Sequence, residues 1–85
     1  MKSFTYTIQD ALGLHARPAG LLVKKAAGYQ SDVKIANGGK SASAKKIFGV
    51  MGLQVKQGNE VTISCEGPDE DTAIAELEQF FKENL

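Results

Sequence analysis

Residues 31 to 44 read SDVKIANGGKSASA, and this stretch indicates how the chain folds. Val33 and Ile35 alternate with polar residues, which is the period of a half-buried strand. The NGG sequence that follows favours a tight turn between two antiparallel strands. We therefore predict a β-hairpin whose second strand has small side chains, with its strands over 31–36 and 40–44.

The segments on either side of this hairpin carry further strand and helix patterns. Before it, SFTYTI alternates as a strand, and an alanine- and leucine-rich segment predicts a helix over 16–27, ended by Gly28. After it, KIFGVMGL has the spacing of a short helix, EVTISCEG alternates, and a final helix is expected behind an Asp69 cap. Because each strand has one polar face, the order βαββαβα predicts an α+β open-faced sandwich. In this fold, three helices cover one face of a four-stranded, mainly antiparallel sheet.

The composition limits the classes of function. A chain of 85 residues fits one domain, which we place over 1–85. Ten basic residues balance ten acidic ones, which argues against general binding to nucleic acid or to anionic membranes. We predict a cytoplasmic protein without membrane insertion. The chain has a single cysteine, its N-terminus lacks a signal core, and no apolar run approaches the length of about 20 residues that spans a bilayer. No cluster has metal-ligand spacing, so we expect no metal and no cofactor.

The sequence GLHARPAG, residues 13 to 20, contains the only histidine of the chain. If the helix begins at Ala16, His15 is its N-cap and Pro18 lies in the first turn, where a missing N–H is tolerated. The free backbone N–H groups of Ala16 and Arg17 then lie beside the imidazole, together with the guanidinium of Arg17. Such a helix N-terminus binds anions, and a neutral imidazole is a nucleophile, so the stretch predicts a functional site. The alternative is a solvated surface histidine, and no acidic residue stands out in the sequence as its orienting partner.

Three segments of the chain closely resemble a known family. GLHARPAG, GKSASAKKIFGVMGL and GNEVTISCEG resemble, in order and without insertion, HPr, the histidine-containing phosphocarrier family of the bacterial phosphoenolpyruvate-dependent sugar phosphotransferase system. The family's fold has the βαββαβα order predicted above. The resemblance implies a phosphocarrier rather than an enzyme. In such a carrier, His15 accepts a phosphoryl group on Nδ1 from enzyme I and passes it to a sugar-specific IIA component.

The resemblance also implies roles for the residues around His15. Arg17 would stabilise the phosphoryl charge, Pro18 would fix the first turn, and Ala16 and Arg17 would bind the phosphoryl group. A carrier needs a surface that docks its partners, and we predict that five residues form this docking patch: Ala19, Gly20, Ile47, Phe48 and Met51. The alternative is that Ile47 and Met51 belong to the core, as most large apolar residues of a small domain do. We expect Ile47, Phe48 and Met51 to be partly exposed, with Val50 and Leu53 buried, and we expect a monomer.

Two positions depart from the family pattern. Leu12 stands where a small polar residue, asparagine or serine, often hydrogen-bonds near the phosphoryl group. Lys46 stands where relatives from Gram-positive bacteria usually carry a regulatory serine.

Two other functions remain open at this stage. One is an HPr-like regulatory protein that binds partners without carrying phosphate, and the pairing of His15 with Arg17 argues against it. The other is a small nucleic-acid-binding α/β module. The neutral charge and the lack of an aromatic stacking strand argue against that module.

Overall fold

The elements of the fold follow one another in the predicted βαββαβα order. A computed structural model describes residues 1–85. Its strands are β1 (Lys2–Thr7), β2 (Asp32–Asn37), β3 (Lys40–Ser43) and β4 (Glu60–Glu66). Its helices are α1 (Ala16–Ala27), α2 (Ile47–Gly52) and α3 (Glu70–Asn84). Helix α1 has the predicted bounds, and the short segment with two glycines does form a helix.

The four strands form one sheet in the order β1-β4-β2-β3, and every neighbouring pair is antiparallel. The sheet is thus antiparallel throughout, and the predicted α+β sandwich is confirmed. The central strand β4 buries Val61, Ile63 and Cys65 completely, while the alternate residues face away from the core. In β2, Val33 and Ile35 are buried in the same way, as their alternation in the sequence predicts.

Helix α3 supplies the largest side chain of the core. Ala73, Leu77 and Phe81 are fully buried and recur every four residues, which places them on one face of the helix. The ring of Phe81 meets the rings of Phe4 and Tyr6 edge to face, with centroids 5.7 Å away in both pairs. Helix α3 is therefore fixed against strand β1 by aromatic contacts.

Asp69, the predicted N-cap of α3, uses its side chain for a contact outside the helix. Asp69 occupies the N-cap position, but its carboxylate makes no capping hydrogen bond. It accepts hydrogen bonds from the backbone N–H groups of Gln30 and Ser31, both at 2.9 Å, and from the hydroxyl of the buried Ser31. The Ser31 hydroxyl and then the Gln30 N–H hold the pKa of Asp69 below its ordinary value, because both stabilise the charged form. Asp69 thus ties the start of α3 to the segment between α1 and β2.

Candidate functional site

His15 stands at the start of α1, in the N-cap position that the sequence predicts. Its backbone is extended, with φ −84° and ψ −175°, and its side chain makes no capping hydrogen bond. Its carbonyl oxygen accepts the N–H of Ala19 at 2.9 Å, which closes the first turn of the helix. The imidazole is therefore not used by the fold, and 34% of the side chain is exposed.

The first turn of α1 presents donors beside the imidazole. The N–H groups of Ala16 and Arg17 have no acceptor one turn earlier and make no backbone hydrogen bond, and Pro18 has no N–H at all. Arg17 is exposed and forms no ion pair, and no acidic residue lies in the first turn. Pro18 is buried, which fixes the start of the helix against the core. Two backbone donors, a guanidinium and the positive end of the helix therefore meet at one place, and this combination favours an anion.

A carboxylate lies near the imidazole of His15. His15 lines a shallow cleft together with Asp10, Arg17, Pro18, Leu21 and Asn84. Asp10 Oδ2 lies 3.8 Å from His15 Nε2, which is within ion-pair range but beyond hydrogen-bond distance, and neither ring nitrogen makes a hydrogen bond within the protein. The sequence does not single out an acidic partner for His15, and the structure places Asp10 near its ring. One signal was present in the sequence, because aspartate followed three residues later by glycine favours a β-turn.

The loop that carries Asp10 is fixed at several points. The N–H of Leu12 donates to Asp10 Oδ1 at 2.8 Å, and the N–H of Gly13 donates to the Asp10 carbonyl oxygen at 2.9 Å. The next residue, Leu14, is buried and donates its N–H to the Val55 carbonyl oxygen at 3.1 Å. Gly13 has φ +68°, and a Cβ atom there would stand only 2.4 Å from that same oxygen. The hydrogen bonds and the close contact at Gly13 thus constrain the conformation of the loop between β1 and α1.

The docking patch is exposed only in part. The Phe48 side chain projects into solvent, with 89% of the residue exposed, and Met51 is 39% exposed. Ile47 is partly buried, and Gly20 has open space where a side chain would be. Ala19 is fully buried, so the prediction that its side chain contributes to the patch is wrong. Ala19 lies on the face of α1 that packs into the core, one residue from the exposed Gly20.

The residues of the α2 segment that are buried and the residue that faces solvent are the ones that the sequence predicts. Val50 and Leu53 are buried at 1% and 6% exposure, so α2 turns these residues inward and Phe48 outward. Two further large apolar side chains near His15 are exposed, namely Leu12 and Leu21. Neither of them belongs to the predicted docking patch.

Two negative observations complete the description of the surface. No group of three or more histidine, cysteine, aspartate or glutamate side chains lies together in a way that could hold a metal ion. None of the helices is long and apolar enough to cross a bilayer.

Fold and site together define the class of this protein, a small open-faced α+β sandwich that presents one imidazole beside the free donors of a helix start. Comparisons with known proteins name that class. Residues 2–83 match the family model PTS-HPr, described as the PTS HPr component phosphorylation site. The chain belongs to the HPr family of phosphocarrier proteins of the phosphotransferase system.

Individual relatives agree with this assignment. The chain is 47% identical over 77 residues to the phosphocarrier protein HPr of Lysinibacillus sphaericus, covering 91% of this chain and 88% of the relative. The histidine-containing phosphocarrier protein of a mycoplasma superposes with a TM-score of 0.94 at 38% identity, covering 96% of this chain and 93% of that one. The Bacillus subtilis catabolite repression protein Crh, solved as a swapped dimer, gives a TM-score of 0.78 at 39% identity, covering 94% and 92%.

Proposed function

We propose that the protein carries phosphoryl groups in the sugar phosphotransferase system. His15 accepts the phosphoryl group on Nδ1 from phosphorylated enzyme I and donates it to a sugar-specific IIA component. Residues 1–85 act as a single carrier domain. The observation that carries this proposal is the position of His15, whose partly exposed imidazole stands at the N-cap of α1 beside the free N–H groups of Ala16 and Arg17.

The chemistry of acceptance follows from this arrangement. The Nδ1 lone pair attacks phosphorus, the bond between phosphorus and the donor atom of enzyme I breaks, and its electron pair stays with enzyme I. The product holds about two negative charges on the phosphoryl oxygens. The N–H groups of Ala16 and Arg17, the positive end of α1 and the Arg17 guanidinium all favour that charge. Pro18 supports the geometry because its ring locks φ at a helical value in the first turn.

Donation to a IIA component is the same exchange in reverse. The electron pair of the bond between phosphorus and Nδ1 returns to the ring, and phosphorus bonds to the acceptor of the partner. The partners supply the remaining groups of each reaction, so we propose that the protein is a transfer intermediate and not an enzyme.

The partners dock on the apolar surface next to His15. Gly20, Ile47, Phe48 and Met51 form this surface once the buried Ala19 is left out. A side chain as exposed as Phe48 loses contact with water only when a partner covers it, which makes it a candidate for the centre of the interface. Helices α1 and α2 contact each other, which supports a docking surface shared between them.

We also propose that the protein works as a cytoplasmic monomer. The Crh relative forms a swapped dimer, so the oligomeric state of this chain needs its own measurement. Light scattering coupled to size-exclusion chromatography should give the monomer mass of 9.1 kDa. A stable species of twice that mass would contradict the proposal.

One experiment tests the carrier function. The protein is mixed with phosphoenolpyruvate and enzyme I, and phosphorus NMR is used to look for an acid-labile phosphohistidine signal. Labelling the ring with ¹⁵N tells Nδ1 from Nε2 as the attachment site. His15→Ala should abolish the signal while its circular dichroism stays that of the wild type, because the imidazole makes no capping bond. A wild-type protein that binds enzyme I but takes no phosphate would instead support the regulatory alternative.

A further inference from the structure

We propose that Asp10 is a positioning residue for His15. Its negative charge lies near Nε2, beyond hydrogen-bond distance, and favours the tautomer that carries the proton on Nε2, which leaves the Nδ1 lone pair free to meet phosphorus. The inference rests on the proposed carrier function and adds to it a residue that determines which ring nitrogen reacts. Its basis is the approach of Asp10 Oδ2 to within 3.8 Å of His15 Nε2, the only carboxylate oxygen that the ring approaches.

The position of Asp10 is set by its loop and not by His15. The Leu12 N–H occupies Oδ1 of Asp10 at 2.8 Å, and the Gly13 N–H occupies its carbonyl oxygen at 2.9 Å. The N–H of Asp10 itself donates to the Leu85 carbonyl oxygen at 2.9 Å. These three bonds leave Oδ2 as the one free oxygen of the residue, and it faces the imidazole. A carboxylate held in this way restricts the ring orientation without being displaced by it.

The loop contains no other polar side chain that could serve. Residues 10 to 14 read DALGL, so Asp10 is the only one with a polar side chain. Leu12 occupies the position at which the resemblance leads one to expect a polar contact, but its side chain is apolar and 72% exposed. The backbone N–H of Leu12 instead anchors Asp10. The polar contribution of this loop to the site therefore comes from Asp10, two residues earlier.

The tautomer matters for both transfer steps. When Nδ1 bonds to phosphorus, the proton on Nε2 stays in place and the ring gains positive charge, which the Asp10 carboxylate offsets. When the phosphoryl group leaves, the electron pair of the N–P bond returns to Nδ1, and Nε2 still keeps its proton. The opposite tautomer has its proton on Nδ1 and must lose it before that nitrogen can react.

The size of the effect follows from the separation and the exposure of the pair. Both side chains are about one-third exposed, at 31% for Asp10 and 34% for His15, so water screens their interaction. Unit charges about 4 Å apart in water attract by about 1 kcal/mol, which corresponds to about a fivefold change in rate. We expect a loss of that order in both phosphoryl acceptance and donation when the charge of Asp10 is removed.

Asp10→Asn is the decisive variant. Its amide oxygen can still accept the Leu12 N–H, so the loop is kept while the charge is lost. Asp71→Asn is the matched control, because Asp71 is also an exposed carboxylate. It lies in the first turn of α3, whereas Asn84, which lines the cleft of His15, is at the opposite end of that helix. Asp10→Glu restores the charge on a longer side chain. Thermal unfolding of each variant checks that the fold is intact.

The first measurement uses the unphosphorylated protein and does not depend on any partner. The ¹⁵N shifts of the His15 ring, recorded at about pH 8.5 where an imidazole is neutral, give the populations of the two tautomers. We expect Asp10→Asn to lower the population with the proton on Nε2, with no change in Asp71→Asn. Equal populations in wild type and Asp10→Asn would overturn the inference.

The second measurement is the rate of phosphoryl transfer from enzyme I and to a IIA component. Asp10→Asn should be about fivefold slower, Asp10→Glu should recover part of the rate, and about 1 M salt should narrow the differences. Full activity in Asp10→Asn would overturn the inference while leaving the carrier function intact. If the wild type takes no phosphate, the proposed function fails, and the tautomer populations alone decide whether Asp10 positions the ring.

Discussion

Gly13→Ala should damage the loop before His15 much more than an equivalent change in a turn elsewhere. Gly13 has φ +68° and is buried, and a Cβ atom there would lie 2.4 Å from the Val55 carbonyl oxygen and 2.7 Å from Lys56 Cα. Gly38, in the hairpin between β2 and β3, has nearly the same backbone conformation at φ +64°, but it has nothing within 4 Å of such an atom. Gly38→Ala therefore carries the same backbone strain without the collision.

The difference between the two variants isolates the close approach at Gly13. Both lose about 1–2 kcal/mol because an alanine disfavours the left-handed conformation. In Gly13→Ala, the methyl group also pushes away the oxygen that accepts the N–H of the buried Leu14. A buried N–H left without a partner costs about 1–3 kcal/mol. We expect a total loss of about 2–5 kcal/mol for Gly13→Ala against about 1–2 kcal/mol for Gly38→Ala.

Two assays measure this difference. Urea denaturation followed by circular dichroism gives the free energy of unfolding of each variant. Phosphoryl transfer from enzyme I, measured well below the midpoint of denaturation, reports the position of His15. A displacement of about 1 Å at a reacting group can cost about a hundredfold in rate, so we expect Gly13→Ala to be slow even where it is folded. Equal stability and equal rates in the two variants would refute the reasoning from the Gly13 contact.

Three other predictions concern separate parts of the molecule. Arg17→Ala should raise the activation free energy of transfer by about 2–4 kcal/mol with unfolding unchanged, and normal rates with both partners would remove its assigned role. Phe48→Ala should weaken the binding of enzyme I, measured by calorimetry, without a loss of stability. Val50→Ala, at a buried site, should lower the free energy of unfolding by about 2 kcal/mol. The reverse pattern would place Phe48 in the core. The pKa of Asp69 is lowered, chiefly by the Ser31 hydroxyl, so its stabilisation is complete above about pH 4 and is lost as the pH falls through the folded-state pKa. Asp69→Asn should flatten the fall in the urea midpoint on acidification, and an unchanged acid dependence would contradict this.

Sequence periodicity predicted those parts of the fold that local patterns determine. The alternation of Val61, Ile63 and Cys65 marks one face of β4, and the structure buries all three. The NGG turn joins β2 to β3 as an antiparallel pair, as expected, and Asn37 pairs with Lys40 at the turn end of the two strands. The bounds of α1 follow from two local signals, the N-cap residue His15 before its first turn and Gly28 after its last turn. Each of these features depends on neighbouring residues, which is the reason that a sequence read alone can reveal it.

The features that the sequence did not reveal depend on contacts between distant segments. Asp69 occupies the predicted N-cap position, but its carboxylate bonds to the buried Ser31, nearly forty residues earlier, and makes no capping hydrogen bond. Ala19 is predicted to belong to the docking patch, and only the packing of α1 shows that this residue lies on the inner side of the helix. Asp10 lies in an irregular loop, where no periodicity indicates the direction of a side chain. In each case, tertiary structure decides among options that are locally equivalent.

A carrier must present its reactive group to several partners and still hold it in one orientation, and the loop before α1 meets both demands. The imidazole of His15 is exposed because the fold uses the backbone, and not the side chain, of this residue to begin the helix. In our proposal, orientation comes from outside the helix, because the Leu14 N–H bonds the loop to the Val55 carbonyl oxygen and the Gly13 N–H bonds to the Asp10 carbonyl oxygen, which keeps Asp10 within 3.8 Å of Nε2. In the proposed carrier, partner recognition can then change on the surface of α2 without disturbing His15. The separation of these two tasks onto different elements explains why substitutions at Phe48 and at Gly13 should affect different measured quantities, binding in the first case and the transfer step in the second.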